Sequence, residues 1–328
     1  MEYYKKAIYF KLKNMIQKYN KIKIRCFLFS FFFWAFSFAG NAQVSLPASD
    51  LGLTSTNDGV AGPAYLYEAF FGSQNATKFK DKNGNNIPGN NKLNAQFMVN
   101  HFVTVSQKPL WGGFPAFEIL VPIVHADVKI QGPGVDDSKF GLGDITVGVG
   151  IQWPNKKLFG KTFFHRFLLN GVVPAGSYSK TDAVNTGSNV WSIMPYYAFT
   201  IYWDKATKWE TSMRFRYQWN SKNTDVIFAN DVQPGQATWI NYGVSYMAYK
   251  NFRIGFAGYW VQQLSEHKIA DTKIPDSKEM AFSVGPSFFY QHKTSIFRLT
   301  GAFDVSAKNR FTQAPFINFT FSKIWPKK

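Results

Sequence analysis

Histidine, serine and carboxylate side chains are what a hydrolase would be built from, so their spacing comes first. The histidines are His101, His125, His165, His267 and His292. Acyl transfer needs a nucleophile, a base within hydrogen-bond reach and a third group orienting the base. The chain has no Gly-x-Ser-x-Gly and no His-x-x-x-His. His101 and His125 fall on the outward set of their expected strands, His267 in a loop and His292 in a turn. The pair Asp136-Asp137 could hold Ca²⁺ weakly, but it reads better as a solvated turn. No cluster has the spacing of a metal site. The residues therefore point to no enzyme, no cofactor and no metal, and a barrel-borne lipid hydrolase is the weakest alternative.

The residues whose pattern does suggest chemistry are charges set among apolar neighbours. Arg214 and Arg216 alternate with Met213, Phe215, Tyr217 and Trp219. Glu118, Asp144, Arg166, Glu210, Arg253, Glu279, Arg298 and Asp304 sit in similar alternating runs, as do Asn94, Gln96, Gln152, Gln218 and Asn220. If the apolar faces meet lipid, these groups line a lumen. Arginines facing one way on one strand would attract anions and set selectivity. The same charges also read as an internal salt-bridge network, with Asp144, Glu210 and Asp304 as partners, bracing or plugging the barrel. A narrow lumen favours the brace, because buried charges need partners. The two roles are compatible.

The elements that must position these groups are strands. Period-two alternation recurs, as in Leu142 to Trp153, Glu279 to Gln291 and Ile296 to Ser306. About twelve strands are expected, near 62–72, 93–106, 114–131, 141–153, 163–176, 188–203, 209–220, 237–249, 251–265, 279–291, 295–306 and 315–325. The first alternates least cleanly. Eleven residues at roughly 3.3 Å each reach about 36 Å, and tilted by about 40° they cover roughly 28 Å, close to the apolar thickness of a bilayer. Short links (250–251, 292–294 and 204–208) alternate with long polar ones (73–92, 177–187, 221–236 and 266–278), the pattern of periplasmic turns and extracellular loops. Tyr202, Trp203, Trp209, Tyr249, Phe252, Tyr290 and Trp325 lie near the short turns, where amphipathic rings favour a lipid boundary. An even strand count puts both termini on the periplasmic side. The fold expected is an all-β, closed, antiparallel up-and-down transmembrane β-barrel. A soluble sandwich with its apolar faces inward is the rival architecture, since alternation alone does not say which face is outside.

Composition agrees. The 328 residues are 45% hydrophobic and 18% aromatic, yet mean hydropathy is −0.20, so apolar and polar residues are finely mixed, as in a sheet with one wet face. Eight basic residues from Lys5 to Arg25 precede the uncharged run Cys26–Ala39, and Gly40, Asn41 and Ala42 follow. That is the layout of a secretory signal, 1–42, with Met1 or Met15 as its start. A periplasmic segment at 43–61 and a barrel at 62–328 complete the expected organisation. Cys26 is the only cysteine, so the mature chain has no disulfide or thiolate chemistry. Removing eight basic residues and Glu2 leaves 29 basic and 19 acidic residues, a charge of +10. These charges are scattered, and no nucleic-acid partner is expected. The expected surroundings are outer-membrane lipid, with a small solute in the lumen.

At Gly141 to Gly150 (GLGDITVGVG), through Pro174, Gly176 and Tyr178, at Asn185–Trp191, in 209–220 and at Gly285-Pro286, the chain resembles the outer-membrane proteins named for the meta-pathway of phenol degradation. The resemblance spans roughly 90 to 322. It implies a β-barrel and uptake of small, often hydrophobic or aromatic compounds, and it carries no catalytic residues. The four glycines of the first motif, Gly141, Gly143, Gly148 and Gly150, lack the ending of a phosphate loop and alternate as a strand, so close backbone approach is expected of them. A closed structural or adhesion barrel is the second functional class.

Overall fold

The computed structural model describes residues 44–327. In chain order the strands are β1 (Ala64–Ala76), β2 (Lys92–Val105), β3 (Phe114–Ile130), β4 (Val135–Leu142), β5 (Ile145–Leu158), β6 (Lys161–Val173), β7 (Ser192–Tyr202), β8 (Trp209–Asn220), β9 (Val232–Gln233), β10 (Ala237–Tyr249), β11 (Phe252–Gln263), β12 (Lys268–Ile269), β13 (Thr272–Lys273), β14 (Met280–His292), β15 (Ser295–Lys308) and β16 (Phe316–Pro326). β4 and β5 both pair with β3 and act as one broken strand. All other barrel strands pair antiparallel with their sequence neighbours, and β1 pairs with both β2 and β16. The result is a closed, twelve-stranded transmembrane barrel. Closure leaves no row of unpaired backbone groups, each of which would cost several kcal/mol in lipid.

The alternation has the polarity that a membrane requires. On β8, Phe215, Tyr217 and Trp219 are exposed, while Arg214, Arg216, Gln218 and Asn220 are buried. Phe303 and Val305 on β15 and Ile317 and Phe319 on β16 also face outward. Phe163, Tyr197, Phe199 and Phe215 form a run of ring contacts across β6, β7 and β8. At the end with the short turns, Tyr65, Trp111, Phe159, Trp203, Trp209, Tyr249, Tyr290 and Trp325 are exposed, the boundary rings of a membrane barrel.

Two sequence expectations change. The strand expected at 141–153 starts earlier, so Asp136-Asp137 lies within β4 rather than in a turn, and Asp136 pairs with Lys129. The strand breaks at Gly143-Asp144. Opposite the break stands Pro122, which has no N–H to give the ladder, and Gly143 donates to its carbonyl at 2.9 Å. The second change concerns 43–61, expected as a periplasmic segment. Residues 44–61 instead run through the barrel. Leu46 is held at the long-loop end by Glu279, and Asn57 and Gly59 lie near the short-turn end, bonded to Tyr202 and Thr200. The chain then enters β1 at the short-turn end.

Candidate functional site

The inserted segment is positioned by inward side chains of nearly every wall. Asp50 Oδ2 accepts from Arg214 Nη1 and, at 3.0 Å, from Arg216 Nη2. Asp58 meets Arg214 in a two-pronged pair: Nε donates to Oδ2 at 2.9 Å and Nη2 to Oδ1 at 2.7 Å. Arg166 Nη2 donates to the same Oδ1 at 2.7 Å, and Arg166 Nη1 donates to the Asp58 carbonyl. Such paired, charge-assisted bonds are stronger than neutral ones and fix geometry. Arg298 donates to the Thr56 carbonyl at 3.2 Å, and Asn241 and Asn318 donate to the carbonyls of Asp50 and Leu53. Gly59 lies flat on the wall. A Cβ there would sit 2.4 Å from the Thr200 nitrogen, so only glycine fits.

Side chains behind the arginines complete the cluster. The Tyr196 ring lies under Arg214, Arg216 and Arg166, with guanidinium-to-centroid distances of 4.5, 4.8 and 5.7 Å. Its hydroxyl donates to Glu118 Oε2 at 3.2 Å and accepts from Arg166 Nε at 3.1 Å. Glu118 also accepts from Asn170. His101 stands between Glu68 and Glu118, its ring nitrogens 3.0 and 3.2 Å from their oxygens. Arg298 Nη1 completes the ring at Glu68. Four carboxylates (Asp50, Asp58, Glu68 and Glu118) thus face four guanidiniums (Arg166, Arg214, Arg216 and Arg298). The void left beside Arg214, Arg216, His101 and Glu118 is about 10 Å³, room for roughly one water.

Toward the long loops the interior turns apolar. Phe70, Val99, Trp239, Tyr259, Val261 and Phe316 form a buried collar, closed by Leu53 with Leu46 and Leu51 packed against it. Asn94 and Gln96, expected in the lumen, lie instead on the outward face of β2, because Ala95, Val99 and His101 take its inward positions. The remaining charged residues expected in the lumen are all tied down. Asp144 accepts from the Gly176 and Ser188 nitrogens and from the Ser188 hydroxyl, anchoring the long link between β6 and β7. Glu210 accepts from Ser212 and Ser245. Arg253 donates to Ser245 and to the Thr207 and Lys208 carbonyls, fastening a short turn. Glu279 accepts from the Leu46 nitrogen, with Arg310 at 3.6 Å. Asp304 accepts from Tyr259 and the Gln313 nitrogen. The ten expected residues are thus all held in side-chain or backbone bonds, and Arg166, Glu210, Arg214, Arg216, Glu279 and Arg298 contact the inserted segment.

Sequence reasoning missed Asp50, Asp58, Glu68, His101 and Tyr196. His101 was expected to face outward, and it faces inward because Glu68 on β1 and Glu118 on β3 flank it there. Gly148 illustrates the close approach expected of the glycine motif, since a Cβ would lie 2.3 Å from Asn170 Oδ1 and 2.9 Å from Glu118 Cγ. Among the described residues no group of three or more His, Cys, Asp or Glu could hold a metal ion. The arrangement can bind charge and exclude solvent.

Residues 76–321 match the family described as "Putative MetA-pathway of phenol degradation". The chain belongs to this family. The family's match takes in every barrel strand except most of β1 and the end of β16, and leaves the inserted segment outside. Among solved structures, the COG4313 outer membrane channel from Pseudomonas putida F1 is similar at 13% identity, with a TM-score of 0.71, covering 86% of this chain and 100% of that one. The β domain of the Bordetella autotransporter BrkA aligns at 11% identity over 79% of this chain and 99% of that one, with a TM-score of 0.45. The first likeness supports the barrel fold, and the second is too distant to carry an argument. A search of curated proteins gave no match.

Proposed function

We propose that the chain is an outer-membrane channel for small molecules, and that residues 44–61 are its gate. The observation that carries this reading is the filling of the lumen. A barrel wall braced only by its own side chains would need no separate strip of chain inside. Here a segment without regular strand structure occupies the lumen, held by ion pairs and single hydrogen bonds that water can replace. The similar Pseudomonas putida protein is described as an outer membrane channel, and the family's name suggests aromatic compounds. The collar of Phe70, Trp239, Tyr259 and Phe316 suits small hydrophobic or aromatic solutes entering from the long-loop side. β1 begins and β16 ends at the short-turn end, which would be periplasmic, and the segment rises from there through the lumen to set Leu46 at the long-loop end, so the expectation of both termini on the periplasmic side would hold for the C-terminal end alone. The signal sequence expected at 1–42 lies outside the described residues.

The tight interior favours a second reading, a permanently closed structural barrel. Planar-bilayer recording separates the two. Asp50→Asn combined with Asp58→Asn removes both gate carboxylates, so a gated channel should show more frequent and larger openings than wild type. A variant that assembles normally and stays silent would leave the closed barrel.

A further inference from the structure

The gate carboxylate at Asp50 is an imperfect fit to the site that it fills, and the mismatch describes a better ligand. Asp50 uses only Nη2 of Arg216. The neighbouring Nε of Arg216 is buried without a hydrogen-bond partner, and so is Trp239 Nε1. These two donors belong to residues directly opposite each other on β8 and β10, and both side chains are at least nine-tenths buried. Buried donors without acceptors are uncommon and costly. A guanidinium presents Nε and Nη as a fork matched to one planar carboxylate. Three residues beyond Asp50, Leu53 places an apolar side chain in the collar with Phe70, Trp239 and Phe316. Asp50 and Leu53 together therefore mimic a molecule with an acid group at one end and an apolar body at the other.

We infer that the lumen holds a binding site for amphiphilic monocarboxylates, seated where Asp50 and Leu53 now lie. The carboxylate takes the Nε–Nη2 edge of Arg216, with Arg214 and Trp239 as further donors. The aromatic or aliphatic body replaces Leu53 in the collar. Such a ligand competes with the gate for the same arginines and satisfies donors that the gate leaves idle, so its binding favours the open lumen. With the gate withdrawn, four guanidiniums and His101 face only Glu68 and Glu118, which attracts anions further. This inference rests on the channel reading and narrows it to a solute class.

The test uses benzoate as the probe and benzamide as its neutral isostere, on the mature chain. In detergent, Asp50→Asn leaves Arg216 without its acid and Arg214 with Asp58 alone. Benzoate should raise the thermal midpoint of that variant saturably, benzamide should not, and acetate, which lacks the body, should need roughly tenfold more. In proteoliposomes of the wild-type chain, which need no variant to fold, benzoate entry above the leak of protein-free vesicles should exceed benzamide entry by roughly tenfold. Arg216→Gln should abolish that preference. Equal protein-dependent entry of the two solutes, or equal effects on the midpoint, overturns the carboxylate assignment and leaves the channel standing. A benzoate-specific midpoint shift with no entry of either solute supports the site and overturns the channel. Neither a shift nor entry overturns both.

Discussion

Arg214 is the residue on which the interior turns. It meets both gate carboxylates and stacks on Tyr196. Arg214→Ala would leave Asp50 with Arg216 alone and Asp58 with Arg166 alone. Breaking a buried pair from one side costs about 3–5 kcal/mol, and the loss should appear as a lowered urea midpoint in detergent. Arg214→Glu should also move ion preference toward cations in bilayers, whereas an unchanged preference would take Arg214 out of the solute path. A different residue governs the loops. His267, beyond the end of β11, accepts the Gly235 N–H at Nδ1, 3.0 Å away. Burial pushes its imidazole below the ordinary 6.5, against the opposing pull of Glu279 and Glu266. The clasp is therefore at full strength above that value and weakens as the pH falls below it, because only the released ring takes up the proton readily. Hydrogen exchange at the Gly235 amide should speed up between about pH 7 and pH 5, relative to amides in the barrel wall. Equal protection at both pH values would show that His267 does not hold the loops.

At the scale of elements, the strands were legible because lipid and lumen impose a strict period of two. The expected spans at 209–220 and 237–249 coincide with β8 and β10, and most others differ by a few residues at their ends. The break at Gly143-Asp144 was not legible, because it depends on Pro122 across the ladder. The gate was hidden for a related reason. Residues 44–61 carry no periodicity, and their partners are distant in sequence: Asp50 and Arg214 are 164 positions apart. Without such a pattern the stretch read as a periplasmic segment. The apolar collar was obscured because Trp239, Tyr259 and Phe316 look like the lipid-facing residues beside them. Two substitutions probe these elements. Phe303→Arg, on the outer face of β15, should cost about 2–4 kcal/mol by placing a charge in hydrocarbon, and normal heat resistance would mean that the face is not in lipid. Gly59→Ala sets a methyl against the Thr200 backbone, so the gate must lift off the wall. Its openings should become more frequent, with the barrel's own unfolding little changed, whereas unaltered gating would show that the contact does not hold the segment closed.

At the scale of the whole molecule, a closed wall separates two solvents of the chain's own making, hydrocarbon-like outside and charge-compensated within. The wall is continuous through its backbone ladder, while among the described residues the gate joins it covalently through Gly62 and Pro63 into β1. That asymmetry lets one part move while the other stays assembled. The sharpest test fixes the gate in place. The hydroxyls of Thr56 and Ser287 are 3.3 Å apart, and a chain cleaved before residue 43 has no cysteine of its own. Thr56→Cys with Ser287→Cys should therefore allow a disulfide between the gate and β14. Bilayer conductance of this variant should be absent when oxidised and return on adding a reductant. Equal conductance in the two states, with the disulfide verified, would contradict a gate formed by residues 44–61.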